Sequence, residues 1–351
     1  MENPIFTGSW GNCHIQGIAV DKKNGYIYYS FTTKLVKATL SGEIIGFVDG
    51  LVGHLGCIAF NENDGCVYGS LEFKNDIIGR GILDAIGSDS DFSDAFYIAR
   101  FDVSKIDRPD MTAENSDIMT ALYLREVTDD YNGKGFDKKS DVTDHKYGCS
   151  GIDGLTFGPL PGKDENDGMY LYVAYGIYGD TERNDNNHQI LLCYDVADCC
   201  EEFMKLDQGN MHRNGPEVPL KKYFVYTGNT HYGVQNLEYD RYTKSFIMAV
   251  YKGHKSEFPN YSLFAVDAQA DSENIYSDEL NENVEMLSLK KSGLYDEKSG
   301  IYGWNFPFGS TGLYSFGDGN WLICHNDKTP EGQCGYIYSY QWNESDPFEK
   351  M

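Results

Sequence analysis

Residues 14–46 read HIQGIAVDKKNGYIYYSFTTKLVKATLSGEIIG. A short apolar strand led by Gly17 runs into the polar turn KKNG, a Tyr-rich strand follows, and two more strands close the unit around the turn SGE. Each strand has period-two or fully apolar patterning and is bounded by Gly, Asp or Asn, which is the signature of antiparallel hairpins. The same shape recurs along the chain. A second copy reads GCIAFN, CVYGSLEF, FYIARFD and TALYLREV; a third reads DGLTFG, MYLYVAYG, QILLCYD and KKYFVYT. A fourth reads QNLEYD, SFIMAVYK, SLFAVD and VEMLSL, and a fifth TGLYSF, WLICHN and YIYSYQW. Gly17, Cys57, Gly154, Asn236 and Gly312 fall in one column.

Four-stranded units repeated in this way predict a β-propeller, because each sheet can cover both faces only against neighbours in a closed ring. The expectation is a single all-β propeller domain over residues 1–351. Its five blades span about 10–50, 51–128, 148–228, 229–290 and 305–342. The fifth copy lacks an outer strand, and residues 4–9 are placed to supply it. Six blades would require a degenerate copy within 104–147 or 268–308. The remaining insertions, 75–95, 128–148, 177–188 and 197–218 (the last with a short helix), are expected to shape a binding face, as long loops on rigid scaffolds do.

The first copy resembles the NHL and SMP-30/gluconolactonase-like propellers, which share its Gly-Ile-Ala-Val-Asp strand, Gly turn and following Tyr-containing strand. In the lactonase branch, that resemblance implies metal ligands at the entrances of the innermost strands, typically a Glu, Asn residues and an Asp. The matching positions here are Gln16, Gly56, Asp153, Gln235 and Thr311, of which Asp153 is the counterpart and Gln stands where Glu is expected.

Composition narrows the function. The chain has 351 residues and a formal charge of -25, which opposes binding to nucleic acid and to anionic membranes. No apolar run approaches the ~18 residues of a membrane span. The opening MENPIFTGSW lacks the basic and apolar segments of a secretory leader. The expectation is therefore a cytoplasmic protein, or one from which a leader has been removed. Nine cysteines, an odd number without a CxxC pair, argue against a disulfide framework or structural zinc. Most of the 27 Tyr and 19 Phe serve the strands; a few Tyr at a rim would suit sugar stacking.

In a propeller, first-strand starts and second-strand ends share one rim. On that rim stand His14, His54, Asp153, His231, Gln235 and Asn236, with Gln16, Glu72, Tyr175, Tyr251, Lys252, His325 and Asn326. Four of the eight histidines fall there, and histidine is the usual proton carrier near neutral pH. Glu72 and Lys252 interrupt apolar strands and are expected to face one cavity, as an ion pair or as acid and base. In the loop after Tyr175, Arg183 is a candidate carboxylate clamp.

The leading reading is a carbohydrate-active enzyme, a glycoside hydrolase or a polysaccharide or uronate lyase, acting on a sugar or sugar acid. His14, His54, Glu72, Asp153, Tyr175 and His231 would be catalytic, and Gln16, Arg183, Gln235, Asn236, Tyr251, Lys252, His325 and Asn326 would bind substrate. One alternative is a lactonase-type hydrolase holding a divalent cation, Ca²⁺ or Mn²⁺, on Asp153, His231, Gln235 and His325. Another is a non-enzymatic propeller that binds a ligand or a protein.

Overall fold

The computed structural model describes residues 4–351. Five antiparallel sheets follow one another in chain order. Blade 1 is built from Ile15–Asp21, Tyr26–Phe31, Lys34–Thr39 and Ile44–Asp49. Blade 2 contains His54–Asn61, Cys66–Phe73, Ala95–Phe101 and Met119–Tyr123. Blade 3 contains Cys149–Gly158, Tyr170–Ile177, His188–Tyr194 and Lys221–Tyr226. Blade 4 has Thr230–Asp240, Ser245–Lys252 and Leu263–Asp267. Blade 5 has Leu313–Ser315, Asn320–Thr329 and Gly332–Trp342, completed by the N-terminal strand Ile5–Ser9 and by the C-terminal strand Phe348–Lys350, both of which pair with Gly332–Trp342. The innermost strands touch in cyclic order, blade 5 meeting blade 1, so the molecule is a five-bladed β-propeller. Ring closure is antiparallel, with Ile5 opposite Ile337 and Phe6 opposite Tyr336.

Period-two patterning explains why the ring forms. Successive side chains of one strand leave its opposite faces. Along Tyr26–Phe31, Tyr28 enters an apolar cluster shared with Leu55 and Val67 of blade 2, while Ile27, Tyr29 and Phe31 enter one shared with Cys324 and Ile337 of blade 5. The pattern repeats around the molecule, giving five apolar clusters, one per blade interface. No sheet can be removed without exposing two of them.

The insertions hold no sixth blade. The 75–95 segment forms the helix Ile77–Ile86. Its N-cap Asp76 accepts hydrogen bonds from the Ile78 and Gly79 amides, at 3.0 and 2.8 Å, and Gly87 ends it in the left-handed conformation (φ 67). The 128–148 segment contains the end of the helix Arg125–Asn132 and the hairpin Lys134–Phe136/Val142–Asp144. Two expectations need correction. VEMLSL is not the outer strand of blade 4: Glu282–Leu287 pairs parallel with Lys221–Tyr226 of blade 3, Tyr223 opposite Glu285, and Glu273–Ser277 extends that sheet further. Blade 4 keeps only the last residue of that segment, Leu289, as a single bridge to Val266, and a second bridge from Leu263 to Trp304. The 197–218 segment has only the 3₁₀ turn Cys200–Glu202, after which Met204 bridges to Ala121 and Leu206 is buried against blade 2. All nine cysteines are unpaired. Among the described residues no helix is long and apolar enough to cross a membrane.

Candidate active site

The innermost strands of blades 1 to 4 all break register near their starts. The shifts fall between Ile15 and Gly17, Leu55 and Ile58, Ile152 and Leu155, and Val234 and Asn236. Bulges of this kind re-aim side chains at the end of a strand. Here they sit at the column Gln16, Gly56, Asp153 and Gln235, and turn it toward one channel mouth. The resulting cavity, about 290 Å³, is lined by His14, Gln16, His54, Glu72, Lys74, Ile78, Ser150, Ile152, Asp153, Gly176, Tyr232, Gln235 and Tyr251.

Its chemistry centres on two carboxyls in opposite environments. Glu72 lies directly across the blade 2 hairpin from His54. One oxygen is 2.7 Å from Lys74 Nζ and 3.4 Å from His54 Nδ1, and the other accepts the Ile152 amide at 3.0 Å. Burial works to raise the Glu72 pKa, but Lys74 and His54 together hold it below the usual glutamate value. Burial likewise opposes the Lys74 charge, yet Glu72 and Asp76 raise its pKa above that of a free lysine. Lys74 also donates to the Ser150 carbonyl at 2.7 Å.

Asp153 has no such support. Its Oδ1 is buried without a hydrogen-bond partner. Burial lifts its pKa to about 7; His54 and Lys74 pull it down and the Glu72 charge adds to the rise. Two glycines make room for these groups. A Cβ on Gly56 would lie 2.2 Å from Asp153 Oδ1, and one on Gly151, at φ +117, would lie 2.0 Å from Glu72 Oε2. The Ser70 hydroxyl donates to the Asp153 carbonyl at 2.6 Å and fixes the strand.

The histidines also differ. Burial and the neighbouring His54 push the His14 pKa down, and the Gln16 amide donates to its Nδ1 at 3.0 Å. Burial opposes the His54 charge, but Glu72 and Asp153 raise its pKa on balance. Tyr232 and Tyr251 form an aromatic wall, edge to face with centroids 6.1 Å apart. Tyr232 sits on the blade 4 bulge at φ 64, a conformation a tyrosine rarely adopts.

Of the rim residues named from sequence, His14, Gln16, His54, Glu72, Asp153, Gln235 and Tyr251 line this cavity. The others lie elsewhere. Tyr175 is buried behind it, donating to Asp130 at 2.8 Å. The Asn236 amide is spent on the Gln16 and Ser310 carbonyls, at 2.8 and 3.0 Å, and stitches three blades together. His231 packs between Tyr232 and His254. His325 stacks on Phe308 and contacts the Tyr340 hydroxyl at 2.9 Å; burial and Lys350 push its pKa down to about 4. Asn326 borders a neighbouring compartment. Lys252 is exposed, and the cation beside Glu72 is Lys74. Arg183 is 4 % exposed, with its fork on Asp185 at 2.9 Å and on the Asp144 carbonyl at 2.6 Å, so it cannot clamp a ligand carboxylate.

The lactonase-type ligand set does not assemble either. His231 and His325 stand outside the cavity that holds Asp153 and Gln235. Among the described residues no three His, Cys, Asp or Glu side chains are spaced to share an ion. Among the cavity residues outside the candidate set are Lys74, Tyr232 and Ile78. Lys74 was legible in principle, since it lies two positions beyond Glu72 and alternation puts both on one face. Tyr232 owes its place to a bulge, and Ile78 to an inserted helix.

No family model matches the chain, and no curated protein matches it in sequence. Similar solved structures include a GH43 β-1,3-galactosidase with galactodeoxynojirimycin, at 12% identity, covering 99% of this chain and 97% of that chain with a TM-score of 0.42. The Dos1 propeller is 10% identical, covering 97% and 81%, with a TM-score of 0.35. A functionally unknown protein from Desulfotomaculum acetoxidans is 8% identical, covering 96% and 68%, with a TM-score of 0.35. None of these likenesses carries a residue role to this chain.

Proposed function

We propose that the channel mouth is the active site of a carbohydrate-active enzyme that hydrolyses glycosidic bonds. The observation that carries the reading is the split of two carboxyls lining one cavity: Asp153, whose free Oδ1 is buried and whose pKa of about 7 leaves it protonated below neutrality, and Glu72, held ionised by Lys74 and His54. Paired carboxyls with pKa values pushed apart are what acid–base cleavage of a glycoside needs. Asp153 gives its proton to the glycosidic oxygen as the bond from the anomeric carbon breaks. Glu72 takes the proton of the water that attacks that carbon. Two oxygens with about four lone-pair positions leave it capacity beyond Lys74, His54 and the Ile152 amide. The side-chain oxygens of Gln16 and Gln235 offer acceptors to sugar hydroxyls, Gln235 Nε2 keeps one donor beyond its bond to the Tyr232 carbonyl, and the Tyr232–Tyr251 wall offers a stacking surface.

The reading is tested by assaying the full chain against aryl glycosides and oligosaccharides at several pH values. Activity should fall as pH rises through about 7, where Asp153 loses its proton. Asp153→Asn and Glu72→Gln should each lower kcat by at least a hundredfold while the fold survives. Turnover unaffected by both substitutions would remove the assignment.

A further inference from the structure

A second cavity of about 310 Å³ opens beside the first, under the helix Ile77–Ile86 and against the rim of blades 1 and 5. His14, Gln16, His54 and Ile78 line both cavities, so the two are compartments of one cleft. Each is close to the lower end of the ~300–1,000 Å³ typical of small-ligand sites, which suits one ring per compartment and an extended molecule across both. The second compartment has a wall of neutral polar groups, the Asn12, Asn326 and Gln333 amides and the Thr32 hydroxyl. The helix covers the other side with Ile78 and Ile82. A polar wall facing an apolar one matches a pyranose unit, which has hydroxyls at its edge and C–H groups on its faces.

We propose that this compartment is a subsite for a second sugar residue, so that the cleft takes an oligosaccharide rather than a single sugar. The proposal rests on the carbohydrate reading of the neighbouring cavity. Gly81 provides a way to block the subsite alone. It lines the compartment from the helix, its backbone has ordinary helical geometry, and a Cβ there would meet no atom within 4 Å. Gly81→Trp therefore starts its side chain from open space at the compartment wall, and replacing glycine inside a helix favours folding.

The experiment is calorimetric binding by the full chain. The probes are methyl glycosides of glucose, galactose, mannose, xylose and arabinose, with di- and trisaccharides of the same sugars. For the sugar that binds, the disaccharide should bind at least tenfold more tightly than the methyl glycoside. Gly81→Trp should abolish that gain and leave methyl glycoside affinity unchanged. Asn326→Ala with Gln333→Ala should reduce the gain without a steric block. Equal affinity for both lengths, or a gain that survives Gly81→Trp, overturns the subsite and leaves the active-site reading standing. A Gly81→Trp effect of equal size on both lengths also overturns it. If no saccharide of any length binds, both readings fall.

Discussion

Lys74 stands 2.7 Å from Glu72, and both are 4 % exposed. Removing one partner of such a pair leaves the other charge buried and unmatched, which typically costs about 3–5 kcal/mol. Lys74→Met should therefore destabilise the protein by that order in denaturant titrations at pH 7. It should also raise the Glu72 pKa, so the acidic limb of the activity profile moves to higher pH. A stability loss without that movement would mean Lys74 does not govern Glu72. Asp153 predicts the reverse sign. Its folded pKa, about 7, lies above the unfolded value of about 3.9. Its contribution to stability is thus intact below pH 4 and is lost as pH rises through 7. Asp153→Asn should accordingly be stabler than the parent at pH 8, by up to about 4 kcal/mol, and nearly equal to it at pH 4. At this scale the sequence was partly legible. Glu72 and Asp153 stood out because a charge in an apolar strand and an acid in a repeat column both break a pattern. Arg183 misled for a physical reason: no spacing rule shows that Asp185, two residues on, and the carbonyls of a distant hairpin already occupy its donors.

Elements were more legible than residues, because strand periodicity is local and strand partnership is not. VEMLSL reads as a strand and contributes to one, but its apolar alternation cannot tell an antiparallel place on blade 4 from a parallel one on blade 3. The N-terminal strand was easier to place, since a three-stranded last blade leaves a single vacancy. That strand should hold the ring shut. Thr7 is fully buried within it, and its hydroxyl oxygen accepts the Gly335 amide at 2.8 Å. Deleting residues 1–9 should lower the thermal midpoint by roughly 5 °C, the shift expected for a loss of a few kcal/mol in a chain of this size. It should also expose the apolar interface of blades 5 and 1 to a hydrophobic dye. A truncated protein melting at the parent temperature would show that the four remaining strands of blade 5, Phe348–Lys350 among them, close the ring unaided.

Charge acts over the whole molecule, and it separates the substrates that the site alone would admit. The chain carries a formal charge of -25, so its average field opposes an anionic ligand at long range. A uronate could overcome that field with a local cation, but the cavity offers none that is unspent. Lys74 is paired with Glu72, Arg183 with Asp185, and Lys252 is exposed away from the cavity lining. Neutral sugars meet neither penalty, and the amides and hydroxyls of the cleft suit them. Neutral oligosaccharides should therefore bind at least tenfold more tightly than oligouronates of equal length at low ionic strength. Raising the salt to about 0.5 M, where the screening length falls to a few ångström, should narrow that difference without closing it. The residue of discrimination that survives screening measures the missing cation in the cavity, and the part that disappears measures the field of the whole propeller. Equal affinity for both classes at low salt would mean that Lys74 leaves Glu72 to meet a substrate carboxylate, and would redirect the chemistry from hydrolysis of neutral sugars to elimination on uronates.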